Sequence, residues 1–188
     1  MENIRKLRIT GPEEETYVLG EPMHIHQGDL ALGRFDPVLV SPDGTEVHIE
    51  YFIPARADAE TARRLGRLIL LEVLAYIVDH FASIQAVSFA LGRQIDIRRD
   101  GSQLAVARSI LLQSIGAAHV MVRPLSAYHR SGEFVVTGLW EYNPPNLRAF
   151  NEVLDAERAT CESEEASIEA PSPRLERWLK RLLSRATS

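Results

Sequence analysis

Residues 68–78 read LILLEVLAYIV and residues 84–91 read IQAVSFAL. A membrane-spanning helix needs about 20 apolar residues, so the first run, interrupted by Glu72, reads as a helix buried in a core. It is apolar on most faces, the mark of a helix packed between layers rather than laid on a surface. In the second run Val87, Phe89 and Leu91 alternate with smaller or polar residues, which is the period of a strand. A buried helix followed by a strand points to a domain in which sheet and helices share one core.

Upstream, Val47-His48-Ile49-Glu50-Tyr51-Phe52-Ile53 is a second strand, stopped by Pro54. Asp58 is placed to cap a helix that runs to about Phe81 and carries Arg63, Arg64 and Arg67 at its start. Ser41-Pro42-Asp43-Gly44 separates residues 47–53 from Val38-Leu39-Val40, and Pro before Asp-Gly predicts a hairpin turn. Short apolar runs at Ile4, Leu7 and Ile9 and at Tyr17-Val18-Leu19 complete an N-terminal meander.

Downstream, Gly92-Arg93 turns toward a strand from Gln94 to Arg98, and Asp100-Gly101-Ser102 opens a helix. Leu104, Ala107, Arg108, Leu111, Leu112 and Ile115 follow at helical spacing before a stop at Gly116. Strands are expected over 119–123 and 134–142. Asn143-Pro144-Pro145-Asn146 then caps a helix from about Leu147 to Arg158. The fold expected is α+β: a two-layer sandwich of a mixed or mostly antiparallel sheet with packed helices, plus a C-terminal amphipathic helix.

Composition sets the outer limits. The chain has 188 residues, 21 Lys+Arg against 26 Asp+Glu, a net charge of -5 and 45% hydrophobic residues. That suits one globular domain of residues 1–158 and gives no support to nucleic-acid binding. The single cysteine, Cys161, excludes an internal disulfide framework or a multi-cysteine zinc site. The N-terminal residues MENIRKLRIT have no apolar run after their charges, so no secretory signal is visible and a cytoplasmic location is expected. Residues 159–173, ATCESEEASIEAPSP, are acidic and nearly free of large apolar side chains, the composition of a flexible linker.

The strongest chemical pattern lies in the second half. A strand leads into Arg98-Arg99-Asp100-Gly101-Ser102-Gln103, then the Leu111-Leu112 helix, then His119-Val120-Met121-Val122-Arg123, Tyr128 and Gly132-Glu133-Phe134. Over residues 84–138 this order resembles the Gcn5-related N-acetyltransferase superfamily. There a loop of the type Arg/Gln-x-x-Gly-x-Gly/Ala joins a strand to a helix and grips the coenzyme A pyrophosphate with its backbone amides. Exposed N–H groups at a helix start do favour anions. The resemblance implies a coenzyme A or acyl-CoA site at Arg98, Gly101, Ser102 and Gln103. It also implies Tyr128 as the acid that protonates the departing thiolate.

Other candidates are simpler. His24 and His26 sit two apart in a strand and could share a metal with Asp29 and with His48 or Glu50, but two solvent-facing histidines on an edge strand explain them better, and no metal is expected. Glu72 within the apolar run could be a buried acid or base, yet Glu72, Tyr76 and Asp79 fall at i, i+4 and i+7 and form a polar stripe. Cys161 lies among Glu162, Glu164 and Glu165, where a thiolate is disfavoured.

The C-terminus is the clearest amphipathic element. Leu175, Trp178, Leu179, Leu182 and Leu183 fall on one helical face, and Arg174, Arg177, Lys180, Arg181 and Arg185 on the other. Residues 174–188 read as a helix that docks on a partner protein or an anionic membrane surface through Leu175, Trp178, Leu179, Leu182, Arg177 and Arg181, or that folds back on its own domain. Self-association is left open. Two functions therefore stand: a non-enzymatic binding or accessory protein that needs no cofactor, and an acyl-CoA-dependent N-acyltransferase.

Overall fold

The structure, a computed structural model, describes residues 7–55, 61, 64–92, 101–124 and 134–169. The elements in chain order are β1 (Leu7–Thr10), β2 (Met23–Gln27), β3 (Leu30–Phe35), β4 (Val38–Val40), β5 (Glu46–Pro54), α1 (Gly66–His80), β6 (Ala86–Gly92), α2 (Gly101–Ser114), β7 (Ala118–Pro124), β8 (Phe134–Glu141) and α3 (Pro144–Glu169). Eight strands form one mixed sheet in the order β1-β2-β3-β5-β6-β8-β7, with β4 also paired to β5. The architecture is the α+β arrangement anticipated above. By contacts the chain divides into two compact units, Met1–Leu154 and Asp155–Ser188.

Within the first unit the hairpin at residues 38–53 forms as read. Val38 pairs with Ile49 and Val40 with Val47. Gly44 takes a φ of 71°, and its N–H donates to the Ser41 carbonyl at 2.9 Å. The Ser41 hydroxyl donates to Asp43 at 2.6 Å and accepts from the Glu46 N–H at 2.9 Å, so the turn's side chains close its backbone groups. Tyr17 is not in a strand; it packs edge-on against Tyr76 and Phe81 and anchors its loop over α1.

β5 and β6 run parallel, whereas β5 pairs antiparallel with β3 and β4, and β6 with β8. A parallel pair needs a crossover, and α1 supplies it. Its Leu68, Ile69, Leu70, Leu71, Val73, Leu74 and Ile77 are all buried, as expected for a helix apolar on most faces. Glu72 and Tyr76 are half-buried and Asp79 exposed, so the polar stripe lies at the edge of the packing. Along the sheet Val47 and Ile49 of β5, Val87 and Phe89 of β6, and Val136 and Trp140 of β8 are buried. The residues between them are half-buried, giving the sheet one closed and one partly open face.

Two expectations about the helices change. Leu65 caps α1 with no side-chain hydrogen bond; Asp58, the expected cap, lies outside the described residues. The Asn143 cap does form, its carboxamide oxygen accepting from the Asn146 N–H at 3.0 Å. The helix it opens continues past Arg158 to Glu169. The segment 159–173 expected as a linker is thus helical over most of its length. Ala and Glu are strong helix formers, and a lack of large apolar residues removes burial without removing helix propensity.

Candidate functional site

The parallel ladder between β5 and β6 shifts register between Ile49 and Tyr51 and, among the described residues, ends where Tyr51 faces Gly92. β5 runs on to Pro54, paired there with Gly33 of β3. Past the ladder's end a cavity of about 290 Å³ opens. Its walls are Phe35 of β3, Glu50, Phe52 and Pro54 of β5, and Leu91 and Gly92 of β6, with residues from two helices completing the lining. In sheets with parallel strands, the crevice beyond the strands' carboxyl ends is where ligands bind. Gly92 is required by this packing, because a Cβ there would lie 2.8 Å from the Tyr51 ring.

Charge around the opening is mostly positive. α1 starts at Gly66, which lines the cavity with Arg64, Arg67 and Leu70. The first turn of α1 holds no acidic residue, so Arg67 adds its charge to the positive end of the helix dipole. A Cβ at Gly66 would meet nothing within 4 Å, which leaves open space directly over the helix start. From α2, Leu104, Ala107, Arg108 and Leu111 face the cavity at i, i+3, i+4 and i+7. The Arg108 guanidinium donates to the Leu91 carbonyl at 3.2 Å, which fixes α2 to the end of β6.

The carboxylate in this wall is Glu50. Its Oε1 lies 3.5 Å from His48 Nε2, and both side chains are about one-third exposed, at 29% and 32%. His48 Nδ1 is 2.9 Å from Ser88 Oγ on β6, and Ser88 donates in turn to Glu46. Parallel register places His48 beside Ser88 and Glu46 beside Ala86, so the chain of polar groups crosses the strand junction.

The residues read from sequence are distributed as follows. Arg98 and Tyr128 lie outside the described residues. Gly101 opens α2, and Gln103 is exposed on it; the described part of α2 joins the cavity wall from Leu104 onward. The pattern Arg-x-x-Gly also stands at Arg63-Arg64-Leu65-Gly66-Arg67-Leu68, where a strand passes to the helix that enters the cavity wall. That second occurrence is the legible signal that the emphasis on residues 98–103 missed.

His24 and His26 do not act as a pair. A register shift between Ile25 and His26 breaks the alternation. It buries His26 against Thr10 Oγ1 at 3.4 Å and leaves His24 half-exposed. Nor is β2 an edge strand, since it lies between β1 and β3. Among the described residues, no group of three or more His, Cys, Asp or Glu is placed to hold a metal. Cys161 sits on α3, partly exposed. Leu175, Arg177, Trp178, Leu179, Arg181 and Leu182 all lie outside the described residues. Among those described, no helix is long and apolar enough to cross a membrane.

No family model matches the chain, and no curated protein matches it. Among solved structures it is similar to the N-terminal domain of a ribosomal-protein-alanine acetyltransferase from Clostridium acetobutylicum ATCC 824. The TM-score is 0.45 at 11% identity, and the match covers 74% of this chain and 94% of that one.

Proposed function

We propose that the chain is an acyltransferase that takes an acyl-coenzyme A, or another phosphate-bearing acyl carrier, into the cleft between β5 and β6 and passes the acyl group to an amine. The observation that carries this reading is the start of α1 at Gly66. It lines the cavity together with Arg64, Arg67 and Arg108. A helix start offers backbone N–H groups and a positive dipole end to an anion, and arginines add planar donors matched to phosphate. The apolar walls, Phe35, Phe52, Leu70, Leu91, Leu104 and Leu111, suit the extended pantetheine-like arm of such a carrier.

The bound carrier supplies an activated thioester; the chain supplies position and proton handling. Glu50 is the carboxylate in the wall and is placed to take a proton from an ammonium acceptor, which is unreactive until deprotonated. Tyr128, as the acid toward the leaving thiolate, rests on the sequence resemblance alone.

Coenzyme A titration of the full chain, followed by thermal shift, tests the reading. Saturation at 100 times Kd adds about 2.7 kcal/mol of stability. The expected result is a rise in Tm that Arg67→Glu reduces. No rise at millimolar ligand in the unaltered chain overturns it.

The C-terminal segment supports a second, compatible role. Its apolar face, Leu175, Trp178, Leu179 and Leu182, and its basic face, with Arg177 and Arg181, suit docking on a partner protein or an anionic surface.

A further inference from the structure

We infer that His48 is a positioning residue held in one tautomer by Ser88 and Glu46, so that its bare ring nitrogen faces Glu50 and the two form one proton-accepting pair at the cleft wall. The inference rests on the acyl-transfer reading for its purpose, and on hydrogen-bond accounting for its geometry.

The accounting is directional. A serine hydroxyl has one proton. Ser88 gives that proton to Glu46, a carboxylate that can only accept while ionised. The Ser88 oxygen, 2.9 Å from His48 Nδ1, is then left to accept, so Nδ1 carries a hydrogen. In a neutral imidazole the other nitrogen is consequently bare. That bare Nε2 faces Glu50 Oε1 at 3.5 Å. Two lone pairs in that arrangement repel, and a single proton between them turns repulsion into attraction.

The surroundings agree with this assignment. Among the described residues, His48 has Glu46 and Glu50 on its own strand, Ser88 beside it on β6, and Leu39 opposite it on β4, which brings no charge. Glu50 also shares the cavity with Arg64, Arg67 and Arg108. His48 Nε2, 3.5 Å away, gives the wall a second proton-accepting atom. In transfer, the acceptor ammonium gives one proton to the Glu50–His48 pair and its second to the departing thiolate, as the C–N bond forms and the C–S bond breaks. The proton on the pair leaves to water past the exposed third of His48.

The tautomer can be read without any ligand, from two-bond proton–nitrogen correlation spectra of the full chain with labelled histidine rings. The expected result is neutral His48 as the Nδ1–H form, shifting toward Nε2–H in Ser88→Ala. A neutral His48 resting as Nε2–H in the unaltered chain overturns the inference. With acetyl-coenzyme A and a lysine-rich peptide as probes, His48→Ala should lower kcat tenfold or more and leave KM for acetyl-coenzyme A within twofold. Imidazole in the buffer should restore part of the loss, and His48→Gln, which keeps a donor toward Ser88, covers the case in which alanine unfolds the sheet. An unchanged kcat in both variants also overturns the inference. Failure of the unaltered chain to bind coenzyme A instead removes the acyl-carrier reading, and the tautomer result is independent of it.

Discussion

The indole Nε1 of Trp140 donates to the main-chain carbonyl of Ile115 at 2.7 Å, tying the fully buried end of β8 to the residue that follows α2. Trp140→Phe keeps an aromatic ring against Phe150 and Tyr142 but removes that donor. Losing a buried partner costs about 1–3 kcal/mol. Urea denaturation should show a lower midpoint with an unchanged slope.

Gly33 has a φ of 150°, and a methyl there would sit 2.8 Å from Phe52 Cζ and 2.9 Å from Pro54 Cα, across the β3–β5 ladder. Gly28 has a φ of 60° with nothing within 4 Å. Both alanine variants should suffer backbone strain of about 1–3 kcal/mol. Only Gly33→Ala should add a steric conflict with the strand that carries Glu50. The expected order of Tm is unaltered chain, then Gly28→Ala, then Gly33→Ala, and equal losses would refute the packing argument.

Burial pushes the His26 ring below its ordinary value of 6.5, and the neighbouring Arg8 charge adds to the effect. A histidine kept neutral in the fold and free to protonate when unfolded stabilises the fold fully above pH 6.5. That stability declines as pH falls below it, because the unfolded chain then binds more protons. The urea midpoint should therefore drop between pH 7.5 and pH 5.5, and His26→Gln should flatten that part of the decline.

Arg67 stands in the first turn of α1, where its charge meets the positive end of the helix dipole. Placing an acid there improves the helix and repels a phosphate. Arg67→Glu should hold or raise Tm without ligand while weakening coenzyme A binding at least tenfold. Raised salt should narrow the difference in binding.

For the C-terminal segment, a chain ending at Ser172 should lose binding to vesicles rich in anionic lipid, measured by co-sedimentation. Trp178→Ala should weaken that binding more than Arg177→Ala, since an aromatic side chain contributes the larger buried area. Equal binding by the full and shortened chains would assign the segment no docking role.

What could be read in advance followed local rules. The Pro42-Asp43-Gly44 turn, the burial of the apolar residues of α1 between Leu68 and Ile77 and the Asn143 cap are each fixed by residues within a few positions of one another. The bulge after Ile25 depends on the pairing with β3, so the histidine spacing could not announce that His26 would turn inward. The cleft is further from local reading still. Glu50, Arg67, Leu91 and Arg108 come together because β5 and β6 are parallel neighbours, a fact of topology with no residue signature of its own. The Arg-x-x-Gly pattern at 63–66 was visible, but its importance depends on which helix start meets that opening.

Tyr51 faces Gly92 in the parallel ladder at the edge of the cavity. Phe52 and Leu104 line that cavity half-buried, whereas Phe35 belongs to the buried core. Positions 52 and 104 are therefore where specificity can drift, or be redesigned, at little risk to the scaffold, provided position 92 keeps its missing side chain.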